Sequence, residues 1–277
     1  MNTLTRTKKS AIDTGELLSE LNTSDSMREA ISTSESYGQA LGAAALDYAR
    51  DEVDYKTNEL NLRGHALNVI ARTESYVKSL TALKSGKDLH RSDRQVLKED
   101  LVEFNHTIRR MIEANPELTI PDVKSLVIDA YRDLKSNGDL DGVMDEQSLS
   151  EEVKACLQGM RHEIAAAQLI EYSGYYVYTD ISIEDDLRGI DMYVLVENDE
   201  DPAKQKWLPI DIKSTKRKAD ETNQDPRNNA IYSLLEDGDF GNSFEMHPEN
   251  MRKKAAAMKK QIEDSYLNHN HLAISGV

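Results

Sequence analysis

Two apolar stretches in the second half of the chain decide the fold: Gly189-Ile-Asp-Met-Tyr-Val-Leu-Val196 and Trp207-Leu-Pro-Ile-Asp-Ile-Lys213. Both are rich in β-branched and aromatic residues and are short enough to be strands. A third stretch of this kind, Tyr175-Tyr-Val-Tyr-Thr179, precedes them, after a helical pattern that begins near Ser150 and stops at Gly174. The pattern therefore predicts a helix followed by three consecutive strands.

The sequence after these strands predicts one more helix and one more strand. Residues 215–247 are polar, contain Gly and Pro, and are expected to be mostly irregular. Pro248–Leu267 is typical of a helix with proline at its start, and His271–Ser275 is typical of a short strand. The predicted order is therefore helix, three strands, helix, strand.

The first half of the chain predicts helices. Apolar residues recur there at three- and four-residue steps, which places one apolar stripe on each of several helices. The cleanest stripe consists of Leu97, Leu101, Phe104, Ile108 and Met111. Residues 1–26 are polar and rich in Ser and Thr, and we expect them to be mobile. We predict an all-α domain over 27–147, as a bundle or as long paired helices, and an α/β domain over 148–277.

Composition and charge exclude several classes of protein. The chain has 277 residues, of which 39% are hydrophobic, enough for a core and against wholesale disorder. Its 34 basic and 50 acidic residues give a net charge of −16, which argues against a nucleic-acid coat protein but not against an enzyme with a local basic groove. A single cysteine, Cys156, excludes an internal disulfide framework. No signal-peptide core or apolar run of membrane-spanning length occurs, so we expect a cytoplasmic protein with no membrane partner.

Charged residues inside the apolar stretches indicate the chemistry. Asp191 stands at the start of the second predicted strand and Asp211 inside the third. Lys213 shares a face with Asp211 because side chains alternate along a strand. Carboxylates that lie close together repel each other unless a cation binds between them, and Mg²⁺ or Mn²⁺ suits such oxygen ligands. The ion would activate a water for attack on a phosphodiester, and Lys213 would orient that water.

Gly189-Ile190-Asp191, nineteen intervening residues and Asp211-Ile212-Lys213 together resemble the signature of the PD-(D/E)xK nuclease superfamily. The resemblance covers about residues 150–277 and implies a restriction-endonuclease-like αβββαβ core. It implies that Asp191 and Asp211 are metal ligands, with the Ile212 carbonyl as a third, and that Lys213 is the catalytic lysine. Glu163 matches the acidic residue that many members place on the first core helix, where it completes the metal site or binds a second ion.

The context of the tripeptide gives it weight, because an acid, any residue and then Lys occurs five times in this chain. Of these, Asp211–Lys213 alone lies in an apolar, strand-like segment that follows another strand with its own aspartate. Lys216, Arg217 and Lys218 form a basic cluster beside the predicted site. The cluster would guide a phosphate or lie on a solvated loop.

Other residues near the predicted site are expected to have structural roles. The tyrosines of this region are expected to pack in the sheet rather than stack on bases; they are Tyr172, Tyr175, Tyr176 and Tyr178. His162 adjoins Glu163 but is expected to face another side of the helix, in a structural or surface role.

These expectations favour a Mg²⁺- or Mn²⁺-dependent nuclease, most of all a DNA endonuclease. The helical first half would contact a protein partner or a second copy of the chain, or position the substrate. The alternative is a catalytically inactive nuclease-like domain within an interaction or assembly protein. The sequence leaves DNA and RNA both open as substrates.

Overall fold

The computed structural model describes residues 11–54, 57, 59–85, 88–138, 140–196, 206–223, 229–241 and 243–274, with the backbone alone at 237 and 268–274. The chain divides into two compact units, Met1–Ala155 and Cys156–Val277. This division and the predicted domain boundary at 147/148 both lie inside one helix, Glu146–Tyr172.

The first unit consists of helices with one short antiparallel pair of strands. Its elements are α1 (Thr14–Thr23), α2 (Asp25–Thr33), α3 (Tyr37–Asp51), β1 (Val53–Asp54), β2 (Glu59–Leu60), α4 (Leu62–Lys84), α5 (Arg91–Ala114), α6 (Ile120–Ser136) and the beginning of α7 (Glu146–Tyr172). Helix α4 packs against α3, α5 and α6. Tyr76 of α4 stacks on Phe104 of α5 with ring centroids 4.0 Å apart. Phe104 belongs to the predicted apolar stripe of α5, which faces this core.

The expectation that residues 1–26 are mobile is wrong for the part of this segment that forms α1 and begins α2. Helix α1 buries the leucines Leu17, Leu18 and Leu21. The polar residues that suggested disorder are helix caps: the Asp13 side chain accepts the N–H of Glu16, and Ser24 accepts that of Met27. Residues 1–10 lie outside the described part of the chain.

The second unit is built on a four-stranded sheet. After the end of α7 come β3 (Tyr176–Tyr178), α8 (Ile183–Leu187), β4 (Met192–Val196), β5 (Lys206–Lys213), α9 (Lys216–Thr222), β6 (Ala230–Tyr232) and α10 (Pro248–Ile274). The strand order is β3-β4-β5-β6. The first two pairings are antiparallel and the pairing of β5 with β6 is parallel. The prediction of a mixed α/β chain is thus confirmed.

The helix predicted to begin at Pro248 is present as α10, whereas the last strand of the sheet lies elsewhere than the sequence indicated. Residues 215–247 contain the short elements α9 and β6, and most of their other described residues lie outside helices and strands, as expected. Helix α10 extends to Ile274, so the predicted strand at His271–Ser275 is wrong over its described residues. Strand β6 has only three residues and is mostly buried, which gives no alternation for a sequence pattern to detect.

One face of the sheet is covered by α7 and α10. The side chains that β4 and β5 direct into this core are Met192, Val194, Val196, Leu208, Ile210 and Ile212. They pack with Leu169 and Ile170 of α7 and with Met258 and Ile262 of α10. Because side chains alternate, the residues between them, including Asp211 and Lys213, belong to the opposite face.

The expectation that the tyrosines pack in the sheet is wrong for three of the four. Tyr172, Tyr176 and Tyr178 are exposed, and Trp207 of β5 is exposed as well. Tyr175 is half-buried against the core. Aromatic character predicted the strand correctly, but it did not reveal which face of the sheet remains uncovered.

No helix among the described residues is both long and apolar enough to cross a membrane.

Replacing Leu21 by Ala tests the packing of α1. Leu21 is 1% exposed, so we expect a loss of about 2–5 kcal/mol in the free energy of unfolding, from lost burial and the cavity left behind. Chemical denaturation measures it. The matched control is Leu46→Ala on α3, where the side chain is 43% exposed and the expected change is within about 0.5 kcal/mol. Equal effects of the two substitutions would contradict the packing of α1.

Candidate active site

Asp191 is bound to β5 on both sides of Asp211. Its backbone N–H donates to the carbonyl of Ile210 (2.8 Å), and its carboxylate Oδ2 accepts the N–H of Ile212 (2.5 Å). On the other edge of β5, the N–H of Asp211 donates to the carbonyl of Asn229 (3.0 Å). The two aspartates therefore lie side by side where β4 begins.

Lys213 and Glu163 join Asp191 and Asp211 to form a group of four charged side chains. The Nζ of Lys213 lies 2.6 Å from Oδ1 of Asp211, and the lysine side chain is 30% exposed where that of Asp211 is 13% exposed. Glu163 reaches the group from α7, near enough for its charge to act on Asp191. The structure thus brings together all four side chains that the sequence predicted as catalytic. Ile212, the predicted carbonyl ligand, lies between Asp211 and Lys213 on β5.

Gly189 shapes the approach to the group. It follows α8 with a φ of 81°, a conformation that glycine adopts without steric cost, and its N–H donates to the carbonyl of Asp186 (2.8 Å). A Cβ placed on Gly189 would lie 3.7 Å from Oδ2 of Asp211. The glycine in the sequence signature therefore has a physical role: it turns the chain into β4 directly beside Asp211.

The environment disfavours ionisation of both aspartates. Burial raises the pKa of Asp191 well above its usual value, and the negative charges of Glu163 and Asp211 raise it further. The Ile212 N–H and Lys213 oppose this shift only in part. Burial also raises the pKa of Asp211, against the opposing effects of Lys213 and of the hydrogen bond from Asp191. Both carboxyl groups therefore hold their protons to a higher pH than an ordinary aspartate does.

Two open cavities flank the group. One, of about 450 Å³, is lined by Gly159, His162, Glu163, Ile212, Lys213, Ser214, Lys218, Glu221 and Thr222. The other, of about 580 Å³, is lined by Arg188, Gly189, Ile190, Pro209, Ile210, Asp211, Thr222 and Asn229. Lys213 thus borders one cavity and Asp211 the other. A ligand that crosses from one to the other would pass this pair of side chains.

The predicted basic cluster is the first turn of α9, and its three members are exposed. Lys218 lines the same cavity as Lys213. The guanidinium of Arg217 instead pairs with Glu221 at 2.8 Å. The structure therefore places Lys218 at the candidate site, whereas Lys216 and Arg217 do not belong to the lining of either cavity.

His162 is a residue that sequence reasoning missed. It lines the same cavity as Glu163, although the helical repeat was expected to turn it away. Its Nδ1 lies 3.1 Å from Oγ of the buried Ser233, and its ring meets Phe240 edge-on. These contacts come from residues about 70 positions away in the chain, which no local pattern around His162 could have indicated.

Arg188 is a second residue near the site that sequence reasoning missed. It carries a positive charge in a chain whose net charge is negative. It caps the C-terminus of α8 and lines the cavity that contains Asp211. Its guanidinium also pairs with Glu184 of the same helix.

Neither the geometry of these four side chains nor comparison of the chain with known proteins identifies a bound metal ion or a protein family. Within the described ranges, no cluster of three or more His, Cys, Asp or Glu side chains is arranged to hold a metal ion. Comparisons of the chain with protein-family models, with curated proteins and with solved structures find no match.

Replacing Asp191 by Asn tests the electrostatic state of the site. A raised pKa in the folded state means that the contribution of Asp191 to stability is present below the usual aspartate pKa and is lost as the pH rises through the folded-state pKa. In metal-free buffer at neutral pH, Asp191→Asn should therefore raise the free energy of unfolding. The gain should shrink toward pH 4. Denaturant titrations across this range measure it, and a gain that is independent of pH contradicts the assignment.

Asp239→Asn is the matched control. Asp239 is also buried, but Lys254 pairs with it at 2.5 Å, and its carboxylate accepts the N–H of Glu236. Removing its charge leaves a partly buried lysine without its ion pair, so the same substitution should destabilise the protein by about 3 kcal/mol at neutral pH.

Proposed function

We propose that this protein is a divalent-metal-dependent nuclease that hydrolyses phosphodiester bonds in nucleic acid, most of all DNA. The observation that carries the proposal is the pairing of Asp191 with Asp211 at the end of the sheet, with Lys213 on the same strand as Asp211. Carboxylates held together in this way, against their own repulsion, are typical of sites that bind a cation.

The donor set fits a hard divalent ion. Asp191, Asp211 and Glu163 supply carboxylate oxygens, and Lys213 is their nearest cation. Mg²⁺ typically uses one or two protein carboxylates and fills its remaining positions with waters and phosphate oxygens, so it needs no cluster of three side chains. The elevated pKa values indicate that the protein leaves part of this negative charge uncompensated. We expect Asp191 and Asp211 to hold Mg²⁺ or Mn²⁺, with the Ile212 carbonyl and Glu163 as further ligands.

The bound ion would polarise the phosphodiester and lower the pKa of the attacking water. The remaining chemistry belongs to the side chains of the protein. Lys213 is partly exposed at the rim of its cavity, where its ammonium group would orient the water and offset the charge that grows on the phosphate. Its present partner is Asp211, so occupation of Asp211 by a cation would release the ammonium group toward the substrate.

The order of elements supports the proposed family resemblance. Elements α7, β3, β4, β5, α9 and β6 follow the αβββαβ order, with α8 inserted between β3 and β4. Asp191 precedes the second strand of this order and Asp211 lies in the third. Glu163 lies on the first helix. On this basis we propose that the second unit has a restriction-endonuclease-like core.

Cleavage of a supercoiled plasmid in Mg²⁺ or Mn²⁺ tests the proposal. Lys213→Met should lower the rate by about 10²–10³-fold, because it removes a cation aimed at the charge of the transition state. Lys98→Met, at an exposed position of α5, is the matched control and should leave the rate unchanged. A wild-type protein that leaves DNA and RNA intact with either metal would contradict the proposal.

A thermal shift on addition of Mg²⁺ tests the metal site without relying on catalysis. A ligand that binds only the folded protein raises its melting temperature, so the wild type should be stabilised by Mg²⁺ and Asp191→Asn should not. Asp239→Asn should retain the shift. If wild type and Asp191→Asn respond alike, the site does not hold the ion, and the alternative of an inactive interaction domain is favoured.

A further inference from the structure

We propose that the exposed aromatic face of the sheet is a stacking platform for unpaired nucleotides, which makes single-stranded or frayed nucleic acid the substrate class of this protein. This inference rests on the proposed nuclease function, because it names the substrate of that nuclease. The observations that support it come from a different part of the structure. The platform consists of side chains from β3, β4 and β5: Tyr176, Tyr178, Tyr193, Leu195, Trp207 and Pro209.

The strand register places these side chains in two rows across the sheet. In one row Tyr178 is paired with Tyr193, which is paired with Pro209. In the next row Tyr176 is paired with Leu195, which is paired with Trp207. The rings of Tyr178 and Trp207 meet edge-on with centroids 6.5 Å apart, so β3 and β5, the two neighbours of β4, present these aromatic groups on the same face.

The platform is continuous with the candidate active site. Trp207, Pro209 and Asp211 alternate along β5 with residues of the core, so all three lie on the face away from that core. Pro209 and Asp211 line the same cavity. Same-face residues on a strand are about 7 Å apart, so Trp207 is about 13 Å from Asp211 along β5. A strand of nucleic acid lying along this face would pass from the aromatic rows to the aspartate pair.

The exposure of the aromatic side chains needs an explanation. Tyr176 is 68% exposed, and Tyr178 and Trp207 are 50% and 51% exposed. Large aromatic groups clustered on a surface mark binding sites more often than isolated ones do. Tyr193 is more covered than these three side chains.

Unpaired bases fit this face better than a duplex does. In a duplex the faces of the bases are stacked on each other, whereas unpaired bases offer them to aromatic side chains. The stacking itself does not require a broad basic surface, which the net charge of −16 argues against. Cations are instead placed beside the aspartate pair, with Arg188 on the side of the platform and Lys213 and Lys218 on the other. This arrangement matches phosphate contacts near the cleavage point and base stacking beyond it.

Trp207 makes the inference directly measurable, because it is the only tryptophan of the chain. The experiment titrates the full-length wild-type protein in EDTA, where metal-dependent cleavage cannot occur, with a short oligothymidylate. We expect saturable quenching of the tryptophan fluorescence. The same oligonucleotide annealed to oligoadenylate should quench far less at equal concentration, since its bases are already stacked.

Substitutions in the rows separate stacking from a structural effect. Tyr176→Ala and Tyr178→Ala should each weaken oligothymidylate binding by about 5- to 100-fold, whereas Tyr178→Phe should stay within about twofold of wild type because its aromatic face is kept. Tyr172→Ala is the matched control, since this tyrosine is equally exposed (49%) but lies at the end of α7, outside the sheet. Unchanged melting temperatures confirm that each variant is folded.

The outcomes distinguish the platform from the nuclease proposal. Quenching by single strands, together with an absence of metal-dependent cleavage of both the plasmid and single-stranded DNA and RNA, would support the platform and contradict the nuclease. Metal-dependent cleavage with no response of Trp207 to single strands would overturn the platform and leave the nuclease. A Trp207 signal that changes with protein concentration alone would mean that a second copy of the chain covers this face, and would also overturn the inference.

Discussion

The second unit depends on one constraint: two aspartates are fixed side by side in a place where neither can ionise freely. Main-chain hydrogen bonds from β5 to Asp191, on both sides of Asp211, maintain this arrangement. Burial raises the pKa of both groups, and the negative charges of Glu163 and Asp211 raise that of Asp191 further, which costs stability at neutral pH. Other buried charges of the same unit are compensated, as the pair of Asp239 and Lys254 shows.

The two faces of the sheet carry different kinds of side chain: one face packs in the core, and the other carries the candidate site. The core face buries aliphatic side chains against α7 and α10 and supplies the hydrophobic stabilisation of the unit. The opposite face carries Asp211 and Lys213 at one end of β5 and Trp207 at the other. Because alternation assigns successive residues to opposite faces, the uncovered face can carry charged and aromatic groups without any loss of core packing. This arrangement explains how a polar, reactive group and an exposed aromatic surface occur within the most apolar segments of the sequence.

Sequence patterns predicted correctly those structural features whose physical cause lies within a single strand or helix. Alternation along β5 predicted that Asp211 and Lys213 share a face, and the structure joins them at 2.6 Å. The heptad-like steps of Phe104 and Ile108 likewise predicted a buried helical stripe. Polar composition misled at the N-terminus, because Asp13 and Ser24 are caps of packed helices rather than members of a disordered segment. The three-residue strand β6 was missed because its stability comes from parallel pairing with β5 and from burial, neither of which leaves a periodic signal in so short a segment.

The sequence by itself determined the helical first half, the three strands of the second half, and the residue types that make a metal-dependent phosphodiester chemistry the best proposal. Only the tertiary structure decided that Asp191 lies beside Asp211, that Glu163 and His162 reach the same cavity from α7, and that Tyr176 and Tyr178 are exposed. The reason is physical. Periodicity is a property of one segment, whereas the approach of two carboxylates and the covering of a sheet face depend on hydrogen bonds and packing between segments far apart in the chain.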